Sequence, residues 1–135
     1  MRAAHLLVVE DEPEIAELAR YHLARAGHRV TGAANGWEAL TAIHDDPPDL
    51  ILLDLMLPDL DGLGVCEILR RTPATATIPI VIVSAWTSGD SRILGLELGA
   101  LDYLTKPFSP RTLVDRVNRI LEARADRTAG SSVGA

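Results

Sequence analysis

The chain has 135 residues, of which 47% are hydrophobic, and this length and composition fit one domain with a single core. A formal net charge of −6 argues against a free-standing nucleic-acid binder, since phosphate contacts need clustered Lys and Arg, and the lone cysteine excludes an intramolecular disulfide framework. No apolar run is long enough to span a membrane and no signal peptide is seen, so the sequence predicts a cytoplasmic protein that binds no membrane.

Strand-like and helix-like segments alternate from the first apolar run onward. Residues 6–9 predict a strand, and the helix that follows it ends at Gly27, a residue type that favours helix C-termini. The apolar stripe of this helix is predicted to hold Ile15, Leu18, Ala19, His22 and Ala26. Residues 30–33 predict a weaker strand, and Asn35-Gly36 opens a second helix that the run Asp45-Asp46-Pro47-Pro48 breaks.

The same alternation continues to the end of the domain. Residues 50–53 predict the third strand, and Asp61 is the predicted N-cap of a helix through Arg71. Residues 80–83 predict the fourth strand, and a helix capped by Ser88 or Asp90 follows it. Residues 103–104 lie in a short fifth strand, and the last helix begins at Ser109-Pro110 with a buried stripe of Leu113, Val114, Val117, Ile120 and Leu121.

Five strands interleaved with five helices predict an α/β fold with a parallel sheet and helices on both of its faces. The last eleven residues, 125–135, are Gly, Ser, Ala and charged residues with too few apolar side chains to pack. The sequence therefore predicts one domain over residues 1–124, followed by a disordered tail or by a truncated linker of a longer protein.

Polar side chains stand where four of the predicted strands end. They are Glu10 and Asp11 after the first strand, Asp54 after the third, Ser84 after the fourth and Lys106 after the fifth. Open parallel sheets form their sites at the carboxyl ends of the strands, so we expect these side chains to converge on one edge.

Asp54 is the most informative of these residues, because it ends the apolar run LILL. A buried ion costs several kcal/mol unless it is compensated, and two carboxylates about 4 Å apart repel by roughly 4 kcal/mol at an effective dielectric constant of about 20. Lys106 supplies one positive charge, and an all-oxygen carboxylate cluster suits Mg²⁺. Such a site can gather a phosphoryl group, with Asp54 as the nucleophile and Ser84 as a hydrogen-bond donor.

Four stretches of the chain resemble the receiver domain of two-component response regulators: LLVVEDEPEI, PPDLILLDLMLPDLDG, IPIVIVSA and GALDYLTKPFSP. They occur in order and at family-like spacing between about His5 and Arg124. The resemblance implies a flavodoxin-like (βα)5 fold with sheet order 2-1-3-4-5. It also implies a phosphorylation-activated signalling switch that receives its phosphoryl group from a sensor histidine kinase. Such a domain catalyses its own phosphorylation and dephosphorylation and is not a turnover enzyme.

The resemblance further implies a role for each matching residue. Asp54 matches the phosphoacceptor, and Lys106 matches the lysine that contacts the phosphoryl group. The implied Mg²⁺ site takes Asp11 as a direct ligand, Glu10 through water, Asp54, and the backbone carbonyl of Met56. Ser84 matches the switch hydroxyl, and Tyr103 matches the switch aromatic, which turns inward when the hydroxyl moves to the phosphoryl group.

The stretch GLELGALDYLTKPFSPRTLVDRV resembles the winged-helix DNA-binding subgroup, whose members often dimerise through the fourth helix, fifth strand and fifth helix. Asp102 and Arg116 match one ion pair across that dimer. Leu101, Thr112 and Asn118, however, stand where charged residues are usual, so two of the usual pairs lack partners. We expect this face still to bind a partner, a second copy of the chain included, through a more apolar surface at Leu101. The domain itself is expected to bind no nucleic acid.

Other functions remain open on the residues alone. The main alternative is a pseudo-receiver, an interaction module that never accepts phosphate, although every reacting position holds a competent residue. The run DLDG also resembles the start of the haloacid-dehalogenase motif, but Pro58 separates it from the strand end. A flavodoxin would need a phosphate cradle of backbone donors after the first strand, where this chain has the acidic run Glu10 to Glu12.

Overall fold

The computed structural model describes residues 3–85 and 89–134, with residues 90–92 and 126–134 described as backbone only. Its strands are β1 (His5–Val9), β2 (Arg29–Ala33), β3 (Leu50–Leu53), β4 (Ile80–Ser84) and β5 (Asp102–Thr105). Its helices are α1 (Pro13–Arg25), α2 (Gly36–Asp45), α3 (Gly62–Arg71), α4 (Gly89–Glu97) and α5 (Pro110–Gly134).

The strands form one parallel sheet in the order β2-β1-β3-β4-β5, which confirms the predicted fold class. The residues of β1, β3 and β4 are all buried, as expected for strands covered on both faces. The edge strand β2 is less covered: Arg29 and Gly32 are exposed, the two residues between them are partly buried, and only Ala33 of this strand is buried. This explains its weaker signal in the sequence.

Alternate residues of the central strands point to opposite sides of the sheet and create two apolar layers. Leu7, Val9, Ile51 and Leu53 belong to the layer that also holds buried residues of α2 and α3. Leu6, Val8, Leu50 and Leu52 belong to the layer that holds buried residues of α1 and α5. Each fully buried Leu, Ile or Val contributes about 1.5–3 kcal/mol relative to an exposed one, so these layers stabilise the sheet.

Helix ends follow the sequence signals at several positions. Asn35 Oδ1 accepts a hydrogen bond from the Glu38 N–H at 2.9 Å, and Asp61 Oδ1 accepts one from the Gly64 N–H at 2.8 Å. Gly27 has a φ of 100° after α1, a conformation that Gly adopts without steric cost. Asp90 is the second residue of α4, so the prediction that it caps this helix is wrong, and Ser88 lies outside the described residues.

Two sequence expectations about helices differ from the structure. In α1, Leu18 is 40% exposed and Ala26 lies beyond the helix, whereas Leu23, left out of the predicted stripe, is fully buried. The helix is rotated so that Ala19 and Leu23, four residues apart, face the sheet. The backbone of α5 is helical through Gly134, where the sequence predicts a disordered tail, and the domain boundary at residue 124 stays a prediction.

Candidate functional site

Four carboxylates meet at the carboxyl edge of the sheet, within the part of the chain that the structure describes. One oxygen each from Glu10, Asp11, Glu12 and Asp54 lies within 4.8 Å of the others. The sheet register causes this meeting: Val9 pairs with Leu53, so the residues that follow β1 and β3 are neighbours. Glu10 and Asp54 are buried, while Asp11 and Glu12 are exposed to solvent.

Lys106 reaches this cluster from the end of β5. Its Nζ lies 2.6 Å from Glu10 Oε1, 2.9 Å from Asp54 Oδ2 and 3.6 Å from Glu12 Oε1, and its side chain is 9% exposed. The Lys106 N–H donates a hydrogen bond to the Ser84 carbonyl at 2.8 Å, which ties the lysine backbone to the end of β4. The peptide bond between Lys106 and Pro107 is cis.

The charges of the buried groups depend on one another. Burial raises the pKa of Glu10 to about 7; hydrogen bonds from Lys106 and from the Glu12 N–H oppose this rise, and repulsion from Asp54 adds to it. Burial also disfavours the ammonium of Lys106, but hydrogen bonds to Glu10 and Asp54 outweigh it and raise the lysine pKa. The lysine therefore stays charged, and the site carries more negative than positive groups.

Backbone N–H groups orient the two buried carboxylates. Asp54 Oδ1 accepts a hydrogen bond from the Met56 N–H at 3.0 Å, and Glu10 Oε2 accepts one from the Glu12 N–H at 3.2 Å. Each carboxylate thus has one oxygen paired with the ammonium of Lys106 and the other hydrogen-bonded to a backbone N–H two residues further along the chain. Met56 is half exposed, and its contact with Asp54 is made through its backbone N–H. The predicted role of its carbonyl stays a prediction.

The two predicted switch residues are both buried beside this edge. Ser84 is fully buried at the end of β4, the strand between the one that delivers Asp54 and the one that delivers Lys106. Tyr103 is 4% exposed and belongs to the apolar layer that includes Ile82. A Cβ built on Gly95 of α4 would lie 3.9 Å from the Tyr103 ring, so the ring is packed inward, next to α4.

The predicted partner face carries its ion pair within a single chain. Arg116 Nη1 lies 2.6 Å from Asp102 Oδ2. Leu101 beside it is 56% exposed, and Ile93 and Leu96 of α4 are exposed as well. Asn118 faces elsewhere: its Oδ1 lies 2.8 Å from His28 Nε2, so its position is explained by contact with the β2 end of the domain.

Two residues near the site were missed by sequence reasoning. Glu12 contributes an oxygen to the carboxylate cluster, and the run EDE was its signal. Asp59 binds the N-terminus of α2 through hydrogen bonds from Gly36 and Trp37, and no local pattern in the sequence connects these segments.

The comparison with protein families matches residues 6–118 to the model described as response regulator receiver domain. The chain belongs to this family. The family assignment predicted from the motifs is thereby confirmed, and so is the predicted class of function, a receiver domain of a two-component response regulator. Nothing found in the comparisons supports the pseudo-receiver alternative.

Transcriptional and DNA-binding response regulators are among the proteins that are similar to this chain. The alkaline phosphatase synthesis transcriptional regulatory protein PhoP of Bacillus subtilis is 47% identical over 127 residues, which are 94% of this chain and 52% of that protein. The DNA-binding response regulator MtrA of Mycolicibacterium smegmatis is 44% identical over 124 residues, which are 92% of this chain and 53% of that protein. The chain thus spans about half the length of these curated relatives.

Solved structures show the same architecture. A putative response regulator from Chloroflexus aurantiacus superposes with a TM-score of 0.85 at 41% identity, over 90% of this chain and 99% of that one. The receiver domain of Francisella response regulator 1452 superposes with a TM-score of 0.83 at 39% identity, over 90% of this chain and 98% of that one. Among the described residues, no helix is both long and apolar enough to cross a membrane.

The donor set of the carboxylate cluster fits Mg²⁺. The ligand atoms that the chain brings together are carboxylate oxygens, and hard cations of this kind prefer oxygen. Among the residues that the structure describes, one positive side chain, that of Lys106, lies among four carboxylates. This leaves excess negative charge that a divalent cation would neutralise. The site therefore has the chemistry of a Mg²⁺ site, as the family resemblance implies.

Proposed function

We propose that this receiver domain accepts a phosphoryl group on Asp54 from the phosphohistidine of a sensor histidine kinase. The observation that carries the proposal is the buried carboxylate of Asp54, held at the sheet edge between Lys106 and three further acids. An ordinary helix cap does not need this arrangement, and Asp61 already caps α3.

The proposed reaction transfers a phosphoryl group between the two side chains. A carboxylate oxygen of Asp54 attacks phosphorus, the P–N bond to the kinase imidazole breaks, and its electron pair stays on the imidazole nitrogen. The ammonium of Lys106 lies 2.9 Å from Asp54 and would bind the negatively charged oxygens of the phosphoryl group once it is transferred. Ser84 would donate a hydrogen bond to one of these oxygens. The same residues would then assist attack by water, which makes the phosphorylated state transient.

Mg²⁺ is the proposed cofactor, and when bound it would neutralise charge on the transferring group. In this proposal it is held by Glu10, Asp11, Asp54 and the backbone carbonyl of Met56. The chain itself contributes orientation: the Met56 N–H fixes Asp54 and the Glu12 N–H fixes Glu10 before any ligand arrives. Positioning and charge stabilisation of this kind provide most of the catalysis of phosphoryl transfer.

Phosphorylation would act on the rest of the domain by shifting a two-state equilibrium. Ser84 and Tyr103 are the proposed switch residues, and the Lys106 N–H bond to the Ser84 carbonyl links the reacting end of β5 to the strand that carries the hydroxyl. The Tyr103 ring lies against α4, so movement of the ring changes what α4 and β5 present to a partner.

The proposed partner surface is formed by α4, β5 and α5, and a second copy of the chain is its proposed occupant. Because Asp102 and Arg116 are paired within one chain, a pair across the dimer requires each of them to exchange partners. Exposed Ile93, Leu96 and Leu101 supply apolar area that such ion pairs do not. Leu101→Asp should therefore prevent phosphorylation-dependent dimerisation, measured by light scattering; unchanged dimerisation of this variant would contradict the proposed surface.

We also propose that the receiver domain occupies residues 1–124 and that residues 125–135 act as a tail or linker. The matched family region ends at residue 118, and the segment beyond residue 124 is rich in small and charged residues. Limited proteolysis followed by mass spectrometry tests this boundary, with cleavage expected beyond Arg124 and a resistant fragment before it.

The decisive experiment for the site is intact-mass spectrometry after incubation with acetyl phosphate and Mg²⁺. Wild type should gain one phosphoryl group, and omission of Mg²⁺ or the change Asp54→Asn should abolish the gain. Asp61→Asn is the matched control, because Asn is an equally good N-cap and Asp61 lies outside the carboxylate cluster. Failure of folded wild type to accept a phosphoryl group from either acetyl phosphate or a phosphorylated kinase would contradict the proposal and favour a pseudo-receiver.

A further inference from the structure

Asp59 lies in the loop between β3 and α3, residues 54–61, which also carries Asp54 and Met56. Its Oδ1 accepts a hydrogen bond from the Gly36 N–H at 2.8 Å, and its Oδ2 accepts one from the Trp37 N–H at 3.0 Å. These are the first two N–H groups of α2, and such groups have no partner within their own helix. Asp59 therefore joins the loop to a helix that is distant from it in sequence.

The carboxylate of Asp59 is charged where it binds the helix. Desolvation would raise its pKa, but the hydrogen bonds from Trp37 and Gly36 outweigh that effect and hold the pKa below its usual range. Charge-assisted hydrogen bonds are stronger than neutral ones, and a negative charge at a helix N-terminus is favoured by the helix dipole.

Close packing at Gly36 supports the same contact. A Cβ at this position would lie 2.8 Å from the Leu60 carbonyl oxygen and 2.9 Å from the Leu60 Cβ. The loop thus touches the backbone of α2 directly, with no side chain between them. Hydrogen bonds and packing together define the distance between the loop and the helix.

The ends of the loop are held independently of Asp59. The Met56 N–H is bonded to Asp54, the Gly62 N–H donates to the Leu55 carbonyl at 3.0 Å, and Asp61 caps α3. The contact of Asp59 with α2 adds a constraint on the middle of the loop. The bond to Asp54 holds the N–H of Met56, whereas the Met56 carbonyl belongs to the next peptide unit, on the side of Asp59, and would follow a displacement there.

We propose that Asp59 is a positioning residue for metal binding, because it holds the β3–α3 loop against α2 and so sets the place of the Met56 carbonyl relative to the carboxylate cluster. This inference rests on the proposed function of the Asp54 site. Mg²⁺ demands near-ideal octahedral geometry, so a small displacement of one ligand lowers its affinity.

The test is calorimetric titration of Mg²⁺ into the unphosphorylated protein, with thermal unfolding of each variant recorded alongside. Asp59→Ala should weaken Mg²⁺ binding by about tenfold, a size found for residues that orient metal ligands. Asn35→Ala is the matched control, because it removes a hydrogen bond from the same end of α2 without touching the loop. It should lower the unfolding temperature and leave Mg²⁺ affinity unchanged. Asp59→Asn, which keeps one acceptor oxygen, should fall between wild type and Asp59→Ala.

Three results would overturn the proposal: equal Mg²⁺ affinity of Asp59→Ala and wild type, an equal loss of affinity in Asn35→Ala, or absence of Mg²⁺ binding by wild type. If Asp59→Ala does not fold, the comparison of Asp59→Asn with Asn35→Ala decides in the same way. Wild type that binds Mg²⁺ but is never phosphorylated on Asp54 would contradict the proposed function alone, so the two failures are distinguishable.

Discussion

A methyl group at Gly62 would enter a space that the backbone of Asp54 and Leu55 already occupies. A Cβ built at this position overlaps the carbonyl oxygen of Asp54 and lies 2.7 Å from the Leu55 Cα and 3.0 Å from the Asp54 carbonyl carbon. All three neighbours are backbone atoms, so no side chain can rotate away. Gly62→Ala must therefore displace either the start of α3 or the backbone of Asp54 and Leu55, which follow β3.

The expected cost follows from these contacts. Forcing an extra methyl group into a packed interior typically costs about 1–3 kcal/mol. A shift would also weaken the hydrogen bond from the Gly62 N–H to the Leu55 carbonyl, now 3.0 Å long, for about 1 kcal/mol more. Ala is favoured over Gly in helices by about 1 kcal/mol at most, and less at a first helical residue. The free energy of unfolding should fall by about 2–3 kcal/mol.

Urea unfolding followed by circular dichroism, in the presence of EDTA, measures this loss without a contribution from bound metal. Gly64→Ala is the matched control in the same helix. Its nearest neighbour is the flexible Leu60 side chain, with Cδ1 at 3.1 Å, so the stability of this variant should stay within about 0.5 kcal/mol of wild type or rise. The backbone shift in Gly62→Ala should also slow phosphorylation of Asp54 by acetyl phosphate.

Equal unfolding midpoints of Gly62→Ala and wild type would refute this reasoning, because they would mean that the backbone accommodates the methyl group with no loss in the free energy of unfolding. An equal loss in Gly64→Ala would refute it as well, because general sensitivity of α3 to alanine, and not backbone overlap, would then explain the result.

Three further predictions concern charge and burial. Lys106→Met leaves the buried carboxylates of Glu10 and Asp54 without their cation. The free energy of unfolding, measured by urea unfolding in EDTA, should fall by about 3 kcal/mol, and an unchanged midpoint would contradict the assigned ion pairs. Asp11→Asn removes one exposed negative charge from the carboxylate cluster, so the free energy of unfolding of the metal-free protein should rise by up to about 1 kcal/mol in the same assay. A fall in this free energy would argue against repulsion within the cluster. Burial raises the pKa of the Cys66 thiol to about 11, which keeps the reactive thiolate scarce at pH 8. A disulfide reagent should therefore modify Cys66 far more slowly in folded protein than in urea, and equal rates would contradict its burial.

The sequence by itself determined the kind of fold and most members of the site. Apolar runs that alternate with amphipathic segments indicate a parallel sheet covered on both faces, because strands buried on both sides have continuous apolar runs such as Leu50–Leu53. Once the strands are parallel, the residues that follow them must share one edge. For this reason Glu10, Asp54 and Lys106 could be named as neighbours before any distance was known.

Only the tertiary structure decided how these groups contact one another. Lys106 crosses from the end of β5 to bind carboxylates that follow β1 and β3, and Asp59 reaches back to α2; these contacts depend on the paths of loops, for which the sequence has no periodic signal. The buried face of α1 likewise depends on packing, since Leu18 and Leu23 are equally apolar and only the orientation of the helix on the sheet buries one of them. Periodicity predicts which elements form, whereas contacts between residues distant in sequence are set by the three-dimensional packing of the whole domain.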